Sequence, residues 1–137
     1  MSSYLTLYGV PKEGGNPISF YCVSRNHPIY QAISDTLNPV FYYGKDGKTN
    51  YSELTSQDVQ EVINDLQIEL KNCDARLEVL KENANGNLEV INEILEYKQL
   101  HEELACSINQ MDFLSVIVED CKRDYNNGFT KILMNVD

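Results

Sequence analysis

The sequence predicts an α+β fold in which a small antiparallel sheet, made of an N-terminal hairpin and a C-terminal strand, accompanies one short helix and a long antiparallel helical hairpin. Three observations carry that prediction. Residues 4–10 and 17–24 alternate apolar with polar side chains around the turn-rich stretch Pro11–Pro17. Val59, Ile63, Leu66, Leu70, Cys73, Leu77 and Leu80 follow steps of four and three, and Val90, Ile94, Tyr97, His101, Leu104, Ile108, Met111, Ser115 and Val118 do the same. Between the two runs stands Asn85-Gly86-Asn87, which is turn chemistry.

In the first strand Leu5 and Leu7 share a face, and in the second Ile18, Phe20 and Cys22 do. A short helix over 28–37 follows, because Asn26 or His27 can cap it, Pro28 suits its first turn, and Ile29, Tyr30, Ile33 and Leu37 fall on one side. Asn38-Pro39 ends it. Val40 to Tyr43 and Lys48 to Tyr51 read as a second, shorter hairpin about Gly44-Lys45-Asp46-Gly47. Thr55, three residues before Asp58, is a capping-box signal and opens the first long helix, expected over about 56–84. The second long helix is expected over about 88–125, stopping at Asn126-Asn127-Gly128, and Phe129 to Val136 closes the chain as a strand added to the N-terminal pair. Residues 1–137 thus fit one domain: mainly β over 1–54, helical over 56–125, and a last strand at 129–136.

A turn centred on Gly86 sets residue i level with residue 172 − i, so that Leu77 meets Leu95 and Val59 meets Phe113. On these bounds the second helix overshoots the first by about nine residues, roughly 13 Å. Phe113, Leu114, Val116, Ile117 and Val118 crowd that overshoot and are expected to be buried against the sheet. Val62, Ile68, Val79, Ile91 and Leu100 lie beside the main stripe, where an isolated hairpin has no use for them, and they are the candidate oligomer interface.

Charge restricts the function classes. Eleven Lys and Arg face 21 Asp and Glu, a net charge of −10. Residues 1–50 hold four basic and three acidic side chains, so the excess belongs to the rest. Such a surface repels phosphate backbones and anionic lipid, which argues against direct duplex nucleic-acid binding and membrane attachment. The N-terminus has no secretory pattern and no apolar run reaches the roughly 20 residues of a membrane span, so a cytoplasmic location is expected. Cys22, Cys73, Cys106 and Cys121 are scattered without a C-x-x-C pair and read as reduced, structural thiols.

No linear motif for catalysis emerges. His101 occupies a heptad position with Lys98 three residues before it, which removes a Glu-x-x-His di-iron pattern. Gly14-Gly15 lies in a turn and makes no phosphate loop. Tyr8, Tyr21, Tyr30, Tyr42, Tyr43 and Tyr51 lie near Arg25, Lys45 and Lys48, and rings with cations can hold a base and a phosphate. Arg25, His27, Tyr42, Tyr43 and Lys45 are therefore the candidate ligand or partner site. No metal or cofactor and no enzymatic activity are expected. The leading expectation is a non-enzymatic interaction or assembly protein that docks on a protein partner or a second copy of itself, as a homo-oligomer, through its helical hairpin. Two others stand behind it: an acidic inhibitor of a basic nucleic-acid-binding protein, and a nucleotide-binding or sequestering module. Small size and an Asn- and Tyr-rich composition suit a phage or mobile-element protein.

Overall fold

A computed structural model describes residues 3–37, 51–123 and 127–136. In chain order these form β1 (Tyr4–Pro11), β2 (Ile18–Ser24), α1 (Pro28–Leu37), β3 (Ser52–Glu53), α2 (Ser56–Glu82), α3 (Leu88–Asp120) and β4 (Phe129–Val136). The fold is α+β, with a four-stranded antiparallel sheet in the order β2-β1-β4-β3 and two long helices packed on each other. The chain ends meet as expected, since β4 pairs with β1 from Leu5 opposite Val136 to Pro11 opposite Phe129. Of the expected second hairpin only Tyr51 lies within the described residues, where its ring meets Tyr8 edge-on at 5.1 Å. The two-residue β3 that follows pairs with Met134 and Leu133.

Alternation puts Leu5 and Leu7 of β1 and Ile132, Met134 and Val136 of β4 on one face of the sheet, all buried. They join Ile29 and Ile33 of α1, Val59, Val62, Ile63 and Leu66 of α2, and Leu104, Met111, Leu114 and Val118 of α3 in one contiguous core. At the start of α2 the Thr55 hydroxyl accepts from the Asp58 N–H at 3.2 Å, and the Asp58 carboxylate accepts from the Thr55 N–H at 3.0 Å. The turn between the long helices needs left-handed backbone at Asn85 and Gly86, and the Asn87 side chain accepts from the Glu89 N–H to open α3.

The hairpin register is close to the expected one. Cys73 Sγ donates to the Tyr97 carbonyl at 3.2 Å, Asp74 meets His101 Nε2 at 2.9 Å, and Arg76 meets Glu93 at 3.6 Å, each within three residues of level. Two features of α3 differ from expectation. It stops at Asp120 rather than about 125, because the Asn127 side-chain amide donates to the Ile117 carbonyl at 3.1 Å while its oxygen accepts from the Phe129 N–H, turning the chain into β4. The nine-residue overshoot therefore shrinks to about one turn. The buried seam of α3 follows the expected run, with Ile94, Tyr97 and Ile108 packed against the core, but also widens to take in Ser107 and Leu114. It runs through Leu104, Ser107, Met111, Leu114 and Val118, leaving His101 half-buried at the side.

Candidate docking surface

Beside its buried seam, α3 carries a second set of apolar side chains that face solvent. Leu88 (74% exposed), Leu95 (59%), Phe113 (67%) and Val116 (64%) are the most exposed large hydrophobic residues of α3, with Ile91 beside them. Read along the helix, Leu88, Ile91, Leu95, Lys98, Glu102, Cys106, Asn109, Phe113 and Val116 follow steps of three and four. They therefore share one face, and it lies opposite the seam against α2. The expected burial of Phe113 and Val116 against the sheet is corrected, and Leu95 is level with Leu77 without facing it. Leu114 and Val118 do enter the core.

At its Phe113 end this outer face borders β2, the edge strand of the sheet among the described residues. β1 and β2 lose register between Leu7 and Tyr8, so that Leu7 pairs with Tyr21 and Tyr8 with Ser19, leaving Phe20 as the extra residue of a bulge. Phe20 stacks on Phe129 with centroids 6.2 Å apart and planes at 20°. Gly9 permits this, because a Cβ there would lie 2.6 Å from three ring carbons of Phe129. Phe20 and Tyr21 with Phe113, Leu114 and Ile117 bound an apolar groove of about 390 Å³. Tyr21 holds its far side by donating to Gln110 Oε1 at 2.8 Å, and burial, aided by Cys106, pushes the phenol up to about 12.

Cys106 joins that groove to a second of about 440 Å³ between α3 and the start of α1, where His27 and Asn26 stand opposite Glu102 and Glu103. His27 is the cap of α1: its carbonyl accepts from the Gln31 N–H and its Nδ1 from the Ile29 N–H at 3.1 Å. Burial lowers its pKa, opposed in part by the Glu103 carboxylate. Arg25 is exposed two residues earlier, and its carbonyl accepts from the Gln31 side chain at 2.7 Å. Tyr42, Tyr43 and Lys45 lie outside the described residues, so of that predicted group the structure places only Arg25 and His27. Among the described residues no three His, Cys, Asp or Glu side chains gather as a metal-binding group, and no helix is long and apolar enough to cross a membrane.

The five residues proposed from sequence as an interface are divided by the fold. Val62 is 0% exposed in the core beside the residues of α1, and this corrects its assignment, because α1 packs along that flank of α2. Ile68 and Val79, 11 residues apart, are exposed on one side of α2. Leu100 lines a 310 Å³ cleft between the helices with Cys73 and Tyr97. Ile91 alone stands on the outer face of α3. Leu88, Leu95, Phe113 and Val116 were missed as site residues, although a second stripe at helical spacing was open to view. Comparison with protein-family models, with curated proteins and with solved structures finds no match.

Proposed function

We propose that this is a non-enzymatic protein–protein interaction or assembly protein that self-associates or docks through its helical hairpin. The second apolar face of α3 carries this reading. A helix that needs only one partner has one apolar stripe and a polar back, whereas α3 has a buried stripe and another in solvent. Light scattering at rising concentration, together with capture from a lysate, tests it on the intact chain and on Leu95→Lys/Val116→Lys. The expected result is a mass above that of the monomer, or a captured partner, that the double variant loses. A strictly monomeric chain that captures nothing overturns the reading.

One observation favours a second reading, a basic protein partner. α3 carries eight carboxylates against Lys98, its one Lys or Arg, which suits an acidic competitor for a nucleic-acid-binding surface. Such binding would weaken steeply between low and high salt, and salt-insensitive binding would exclude it.

A further inference from the structure

Resting on the interaction reading above, we infer that the partner on the outer face of α3 is a second copy of this chain, paired antiparallel about a two-fold axis at Glu102. The order of residues along the face carries the inference. The steps from Leu88 through Ile91, Leu95, Lys98 and Glu102 are three, four, three and four, and those from Glu102 through Cys106, Asn109, Phe113 and Val116 are four, three, four and three. The face therefore reads the same in both directions. Its two ends are apolar and its middle polar, so antiparallel pairing sets Leu88 against Val116, Ile91 against Phe113 and Leu95 against Asn109, each contact made twice. That self-complementarity is what a two-fold interface requires.

Shape agrees with that occupant, and one cation sits where the pairing brings charge together. Leu88, the most exposed large apolar side chain of the described residues, stands at the tip of the hairpin. The pairing carries it to the level of the second copy's apolar groove between Phe20 and Phe113. The axis sets the two Glu102 carboxylates against each other, and the Lys98 of each copy, the single Lys or Arg of α3, falls one turn from the other's Glu102, where it offsets that repulsion. The five apolar residues of the face expose about three side chains' worth of surface, on the order of 500 Å² per copy at ~150–200 Å² each. Covered completely, that surface on two copies comes to roughly 1,000 Å², the lower bound for a specific interface, and the polar middle adds to it.

Disulfide trapping on the full chain tests the register. Lys98→Cys comes level with the second copy's Cys106, which is exposed, whereas within one chain the two positions are eight residues apart on a helix and cannot bridge. Oxidised Lys98→Cys should run as a covalent dimer on a non-reducing gel. Cys106→Ser in the same chain should abolish the dimer, and Glu96→Cys, off this face, should not form it. By light scattering, Leu88→Lys and Phe113→Lys should each weaken dimerisation about tenfold or more while leaving the far-ultraviolet dichroism unchanged. Raising salt should not weaken the dimer, because each copy carries −10. An oligomer that resists both substitutions and does not trap through Cys106 overturns this pairing and leaves the interaction reading in place. A monomer at every concentration, with a partner still captured through α3, overturns the pairing in favour of docking on a different protein.

Discussion

Gly9→Ala is the sharpest single test of how the edge groove is built. The new methyl group would lie 2.6 Å from three carbons of the Phe129 ring, against the 3.5–4.0 Å of an ordinary carbon contact. The ring cannot slide freely, since its other side stacks on Phe20 and its backbone pairs with Pro11. Overpacking of this kind costs about 2 kcal/mol within a range of 1–3, and replacing a strand glycine by alanine returns roughly 0.5–1 kcal/mol, so a net loss centred on about 1 kcal/mol is expected. Urea unfolding with an unchanged slope would read it directly. A double-mutant cycle identifies the cause: Phe129→Ala alone should destabilise, but in the Gly9→Ala background it should relieve the clash and give a coupling of about 1 kcal/mol or more. A neutral Gly9→Ala, or a coupling below about 0.5 kcal/mol, would refute the reasoning that the glycine exists to seat the ring.

Two further outcomes follow from the caps. Thr55→Ala removes one half of the capping box and should cost about 1 kcal/mol by urea unfolding, while Thr55→Ser should keep most of it; equal losses would show that the hydroxyl is not the stabilising group. His27 caps α1 through an unprotonated Nδ1, and burial lowers its pKa in the folded state. The unfolded chain therefore binds the proton more readily, so this contribution is complete above the ordinary histidine pKa and is lost as pH falls through the lowered one. His27→Asn, a cap that does not titrate, should flatten the fall in unfolding midpoint between about pH 7 and pH 5 relative to the native chain, and an unchanged fall would remove His27 as its source.

Much of the fold was legible because its signals are local. Alternation in Leu5 and Leu7, the Thr55–Asp58 pair, Pro28 after a capping residue, and Asn85-Gly86-Asn87 each fix a few backbone angles by chemistry confined to neighbours, and all four stand where expected. The end of α3 was not local. It depends on Asn127, two residues before the start of β4 in the sheet, reaching back ten residues to the Ile117 carbonyl. The bulge at Phe20 was hidden for a similar reason. Strict alternation over 18–24 looks like a regular strand, and only pairing with β1 reveals one residue too many.

The candidate surface was the least legible part, and α3 itself explains why. A helix with one apolar stripe declares its inward direction, but one with two opposed stripes gives periodicity without direction. The run through Val90, Ile94, Tyr97 and His101 satisfies the heptad spacing, yet so does Leu88, Ile91, Leu95, Lys98 and Glu102. What decides between them is the opposite helix. Cys73 and Asp74 of α2 reach Tyr97 and His101, and Leu104 and Met111 drop into the core made by α1 and the sheet, which leaves the other stripe outside. Leu88 and Val116 then cannot be excused as seam residues displaced by a long turn, because they stand at opposite ends of a 33-residue helix, roughly 42 Å apart, on the same face. A face that stays apolar at both ends over that length, on a chain this acidic, is the observation from which the proposed docking draws its support.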